Sequence, residues 1–272
     1  MKEKYLEYAK KSFKGKALKL VNEQIELVFS DKTIDIKKKY KKNDEVILKK
    51  GTFIHGIGSD LSKFDWTIDN GFIATEFNGN IKPKKYFNNV GFWKIKRDIK
   101  LLEYIKLCSG ITIEYTLDRG TNNKMSELIG IENVQERIEY ANNNKNIWSW
   151  RAEQTKEIRF IPTLASNKNQ IAFILNMESE YAKKLVQNDV FNIKDKKILK
   201  YFVYKKCIDS FIHEKPNAFT TDRESAIMFG LPSYLIEGVL LGRDYEGNKE
   251  IIEHIREKLP DKYICNLDGK VI

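Results

Sequence analysis

Over the first 28 residues, Leu6, Ala9, Phe13, Ala17, Leu20 and Val21 recur close to helical spacing, which predicts a helix over 4–28 with Gly15 as its weak point. EVILKKGTFIHGI (45–57) has the pattern of strand, turn and strand, and DLSKFDW (60–66) predicts a short helix leading into a strand at NGFIATEF (70–77). GFWKIKRDIKLLEYI (91–105) is amphipathic, and SGITIEYTL (109–117) is a β-branched strand. A helix over 124–141 runs into NNNKN (142–146), the strongest loop signal in the chain. EIRFIPTL (157–164) and QIAFILNM (170–177) follow as strands, then helical patterns at SEYAKKLVQNDVF (179–191) and KDKKILKYFVYKKCIDSFI (194–212). The end is dense: AFTT (218–221), a helix starting at DRESAIMFG (222–230), a strand at YLIEGVLLG (234–242), a helix at NKEIIEHIREKL (248–259) and a final strand at YICNLDGKVI (263–272).

Strands and helices alternate without a regular βα period, so the expected class is α+β, with mixed or antiparallel sheets and flanking helices rather than a doubly wound sheet. The expected organisation is a basic N-terminal helical segment over 1–44 and one α+β domain over 45–272. Hydrophobic residues at 42% and aromatics at 12% exclude a disordered or collagenous chain. No apolar run approaches the roughly 20 residues that span a bilayer, and the basic N-terminus lacks the apolar stretch of a secretory signal. The expectation is a soluble, cytoplasmic protein without a membrane partner.

Three cysteines (Cys108, Cys207, Cys265) lie far apart with no CxxC, and there are three histidines, His55, His213 and His254, in no metal-binding spacing. No metal is expected. The signatures of a P-loop, a Rossmann turn and a nucleophile elbow are absent from the sequence.

Charge changes the picture in one respect. Of 48 basic and 38 acidic residues, 15 Lys and 8 acids fall in residues 1–50, and the first hundred residues hold the whole net +10. Such a half invites a phosphate-bearing partner. KKKYKK (37–42), with one aromatic and no Arg, lacks the stacking platform of a single-strand binder, and lysines on solvated faces explain the same composition.

The strongest candidate for chemistry is FIHGIGSDLSKFDWTIDNGFIAT (53–75). His55 ends an apolar run, and Gly56 lets a ligand approach the backbone; a histidine there hydrogen-bonds a ribose hydroxyl or a phosphate, and Phe72 in the later Gly-Phe pair can stack on a flat heterocycle. The structural alternative is a satisfied half-buried histidine and a plain turn. Glu237 in YLIEGVLLG and Glu114 in ITIEYTL interrupt apolar strands, and Glu153 and Glu157 lie in WSWRAEQTKEIRF, with Arg159 two residues after Glu157. A carboxylate in a buried strand must be paired or functional, because its desolvation is expensive; Glu237 also fits an outward position at a sheet edge, and Glu157–Arg159 a surface ion pair. Asp222 reads as a helix N-cap, with Arg223 beside it near the positive end of that helix. The tryptophans Trp66, Trp93, Trp148 and Trp150 read as core or interface residues.

His-Gly after an apolar strand, then a spacer and Gly-Phe, resembles the opening of the ADP-ribosyltransferase superfamily, specifically its histidine–tyrosine–glutamate branch. The resemblance covers about 25 residues. It implies a core of that fold and NAD as substrate, with His55 and Gly56 at the ribose. The aromatic-bearing strand falls either on GFIATEF, with Phe72 and Thr75 at the cofactor and Ile73 in the tyrosine's place, or on AFTTDRESAIMFG, with Phe219, Thr220 and Arg223. The resemblance further implies a carboxylate at the other ribose hydroxyl, here Glu153, Glu157 or Glu237. Cleavage of a glycosidic bond passes through an oxocarbenium-like state, which a nearby carboxylate stabilises. The expected activity is ADP-ribosyl transfer to a protein or nucleic-acid acceptor, or NAD glycohydrolysis. WSWRAEQTKEIRF and LPSYLIEGVLLGR also resemble a loosely defined bacterial family of uncharacterised proteins, which implies a bacterial or phage protein, with a toxin or defence role as one setting. The alternative function is a non-catalytic nucleic-acid or nucleotide binder using the basic first hundred residues.

Overall fold

The computed structural model describes residues 1–30, 40–58, 60–74, 77, 88–95, 97–105, 171–202, 208 and 224–272. In chain order its elements are α1 (Lys2–Ser12), α2 (Gly15–Val28), β1 (Ile47–Leu48), β2 (Phe53–Gly58), α3 (Leu61–Asn70), β3 (Phe72–Ile73), β4 (Asn89–Lys94), β5 (Ile99–Lys100), β6 (Ile171–Leu175), α4 (Glu180–Val186), α5 (Lys196–Leu199), β7 (Glu224–Met228), β8 (Gly230–Leu231), β9 (Ile236–Leu241), α6 (Arg243–Glu246), α7 (Lys249–Lys258) and β10 (Tyr263–Cys265). Antiparallel pairs predominate, and β9–β10 is parallel, so the chain is α+β with a mixed sheet. It divides into two compact units, each of three chain segments: unit 1 is 1–35, 65–92 and 176–235, and unit 2 is 36–64, 93–175 and 236–272. The expected boundary after residue 44 falls inside a segment of unit 2.

Unit 1 is built on the helical period of its N-terminus. Tyr5, Ala9, Phe13, Ala17, Val21, Ile25 and Val28 repeat at three- and four-residue spacing and are all buried. The chain breaks between the helices at Phe13–Lys14, both extended, so the predicted single helix is a pair. Tyr5 stacks on Phe29 at 5.5 Å and meets Phe229 edge-on at 5.3 Å; Phe13 stacks on Phe77 and Phe202 at 6.0 and 5.6 Å. Such pairs contribute about 0.5–1.5 kcal/mol each beyond area burial.

Inside this apolar packing sits one polar residue of α2, Gln24, with 0% exposure. Its Nε2 donates to the Gly230 carbonyl at 2.9 Å, and its Oε1 accepts from Asn188 Nδ2 at 2.9 Å. Both ends of the amide are thus satisfied, as burial demands. Gln24→Ala strands the Gly230 carbonyl and the Asn188 amide together, and should lower unfolding free energy by about 3 kcal/mol in urea titration.

The helix predicted from residue 222 is instead a strand, β7. Its hydrogen bonds come from a distant segment. The Ala226 amide donates to Asp189 Oδ1 at 3.2 Å, the Met228 amide donates to the Asn188 carbonyl at 3.2 Å, and Asp189 bridges Ile227. Those partners, with Ser225 and Ile227 both buried, override a local helical preference.

In unit 2 the strands pair in the order β10-β9-β6-β2-β4. The registers Ile54↔Ile174, Ile174↔Gly238 and Ala172↔Leu240, with Cys265↔Leu240, put Ile54, Ala172, Ile174, Leu240 and Cys265 on one face. Trp93, Leu48, Leu101 and Val271 pack there into a continuous buried cluster, so Trp93 is a core residue. The registers His55↔Phe173, Phe173↔Val239 and Val239↔Ile264 define the opposite face. There Phe64 of α3 stacks on Phe173 at 5.3 Å, and the His254 ring of α7 lies 6.0 Å from Phe64. Asn248 caps α7, its Oδ1 accepting from the Ile251 amide at 3.2 Å. Arg243 makes a two-bond fork to Asp268 at 2.7 and 3.0 Å, which holds that carboxyl below its usual range.

Candidate functional site

His55 lies on β2, flanked by β6 and β4, and is half-buried beside Phe173. The ladder to β6 slips after the next residue, Gly56. Gly56 pairs with Ala172 and Gly58 with Ile171, so Ile57 is an extra residue and the strand bulges. Gly58 has φ +80°, and among the described residues a Cβ built there would meet nothing within 4 Å. His55 thus stands in the middle of β2 rather than at its end, with the glycine and the bulge following it.

A second bulge governs Glu237. Ile174 pairs with Gly238 and Leu175 with Ile236, leaving Glu237 as the unopposed residue of β9. A bulge re-aims a side chain that strict alternation would send elsewhere. Glu237 lies near enough to Tyr263 for its charge to act on the phenol. The Tyr263 ring lies over Gly238, where any Cβ would collide with it, and 4.6 Å from the Tyr40 ring. Burial, reinforced by the Glu237 charge, pushes the Tyr263 phenol well above its ordinary range. Burial also pushes up the thiol of Cys265, whose Sγ donates to the Val239 carbonyl at 3.5 Å, so this thiol is an inert one. Lys262 is held below its ordinary range by burial, partly offset by Asp261 and Glu237.

Tyr263 and Gly238 belong to the face of Cys265 and Leu240, whereas His55 belongs to the face of Phe173 and Val239. Tyr263, 26 residues on, is a neighbour of Glu237 that the local sequence pattern does not show. The available signal was the requirement that an acid in an apolar strand be paired or functional.

No family model matches this chain, and no curated protein or solved structure matches it.

Of the remaining candidates, Gly56 sits at the His55 bulge. Phe72 belongs to unit 1, is 3% exposed and packs edge-on against Phe92 at 5.7 Å; Ile73 beside it is 5% exposed. Both side chains are committed to the interior of that unit. Glu153, Glu157, Thr75, Phe219, Thr220 and Arg223 lie outside the described residues, as do Glu114, Arg159 and Asp222. Among the described residues no three His, Cys, Asp or Glu side chains gather as metal ligands, and no helix is long and apolar enough to cross a membrane.

Proposed function

We propose that the protein cleaves NAD at the nicotinamide–ribose bond and passes ADP-ribose to a macromolecular acceptor or to water, with His55 holding the ribose. The observation that carries this reading is the half-buried imidazole followed by the Gly56–Gly58 bulge. A flat, polar dinucleotide needs a fixed hydrogen-bonding group beside backbone that has no side chain in the way. In the reaction the C1′–N1 bond breaks with its electron pair leaving on nicotinamide, and an acceptor oxygen or nitrogen bonds C1′ and releases a proton. The positive charge developing on the ribose calls for a carboxylate. That role falls in this reading to Glu153, Glu157 or Glu237, the carboxylates the resemblance implies. NAD is a cytoplasmic metabolite, and the reading places the protein there, in the bacterial or phage setting the sequence resemblance implies.

Nicotinamide release from NAD by the purified chain is the test. His55→Ala should lower release by about a hundredfold, the usual cost of losing one positioned polar group, and unchanged release would remove His55 from the mechanism. Glu153→Gln, Glu157→Gln and Glu237→Gln, assayed alongside, identify the carboxylate by which of them abolishes turnover.

A further inference from the structure

From Tyr8 to Asn22 the chain carries five lysines, Lys10, Lys11, Lys14, Lys16 and Lys19, and no carboxylate. The first four fall within seven residues spanning the end of α1 and the start of α2, and all four are exposed. Lys2 pairs with Glu26 and Lys19 approaches Glu23 at 3.9 Å, but Lys10, Lys11, Lys14 and Lys16 have no acidic partner among the described residues.

The placement runs against local stability. Lys10 and Lys11 sit in the last turn of α1, where the helix end attracts cations. Lys14 and Lys16 do the reverse: they stand at the positive start of α2, whose first turn has no acid and no side-chain cap. Four like charges around one turn repel each other, and no acid among the described residues offsets them, so the turn presents concentrated positive charge to an anionic partner.

We infer that this lysine-rich turn docks the phosphate backbone of a nucleic acid duplex. The partner must be recognised by charge. The apolar side chains of both helices (Tyr5, Ala9, Phe13, Ala17, Val21, Ile25, Val28) are buried in their own unit, leaving no hydrophobic face to enter a lipid surface. The turn also offers no exposed aromatic or Arg to anchor a protein interface or to stack on unpaired bases, since Phe13 is 1% exposed and Tyr8 packs on Phe77 at 4.8 Å. A regular array of phosphates complements what remains. Contacts to the backbone alone carry no base readout, so binding is indifferent to sequence. This inference goes beyond the NAD reading and does not depend on it.

Fluorescence anisotropy of the full chain with a labelled random-sequence DNA duplex, without NAD, tests it. Four phosphate contacts predict an affinity falling about 150-fold as salt rises from about 50 to 200 mM. The variant Lys10→Gln/Lys11→Gln/Lys14→Gln/Lys16→Gln should lose most of both the affinity and the salt slope, with an unchanged or raised melting temperature as proof of folding. Lys249→Gln/Lys258→Gln on α7, equally exposed, should bind like the parent. Absence of salt-dependent binding, equal losses in both variants, or binding to phosphatidylserine vesicles but not to the duplex would each overturn the inference.

Discussion

Gly230→Ala should cost about 4 kcal/mol of unfolding free energy or prevent folding outright, read as a collapsed midpoint in urea titration. Gly230 has φ +147°, a backbone region essentially closed to residues with a Cβ. A Cβ there would fall on the Phe72 carbonyl, across the β3–β8 pair in which Ile73 opposes Gly230. Relief by moving β8 is blocked on two sides. The Gly230 carbonyl accepts from the buried Gln24, and the preceding residue, Phe229, is itself held at φ +62° with its amide donating to Asn88 and its carbonyl accepting from Ala74, each at 2.8 Å. Strain of about 1–3 kcal/mol for the conformation, added to the lost pairings, gives the figure. Gly58→Ala is the informative contrast: its φ is +80° but its surroundings are open, so only the conformational part of the cost applies.

Alkaline pH should destabilise the chain in two stages, the first set by Cys265 and the second by Tyr263 together with Tyr5 and Tyr181, whose phenols burial also raises. Cys265 and Tyr263 have folded-state pKa values raised by burial, with the Glu237 charge adding to each. A raised acid group contributes stability that is intact below its unfolded value and is withdrawn as pH climbs towards the folded one. The window therefore opens near pH 9 for the thiol and near pH 10 for the phenol, their ordinary values. Each pH unit beyond withdraws about 1.4 kcal/mol per group, so by about pH 11 Cys265 and Tyr263 have removed about 4 kcal/mol. Denaturant midpoints from neutral pH to pH 11 measure this, and Cys265→Ala should flatten the first step while leaving the second. A midpoint that does not shift until well past the phenol's ordinary value would contradict the burial of Cys265 and the partial burial of Tyr263.

Elements with strong internal pattern were legible from the sequence. β2, β6 and β9 are apolar runs bounded by turn signals, α7 has its Asn248 cap, and α3 opens on Asp60, whose Oδ1 accepts from the Ser62 amide at 2.9 Å. What could not be read was decided by partners remote in sequence. β7 borrows its hydrogen bonds from Asn188 and Asp189; the two units interleave segments that no local boundary marks; and Glu237 is turned by a bulge whose existence depends on how β9 registers with β6. For the candidate chemistry, His55 and Gly56 were visible as a pair because they are adjacent, and the bulge that follows them was not. The excess of lysine in the first half was plain from counting, but its concentration at a helix–helix turn required knowing where α1 stops.

Because each unit draws on three separated segments, neither can be completed early during synthesis. Tyr5 and Phe13 leave the ribosome long before Phe229 and Phe202, which they pack against. At ordinary elongation rates that interval is roughly 10–40 s, during which the apolar stripe of the nascent α1–α2 pair lacks its cover from Phe202 and Phe229. The same lysines that flank the stripe keep this waiting segment charged, and chaperone capture of truncated nascent chains ending before residue 224 should be correspondingly prolonged.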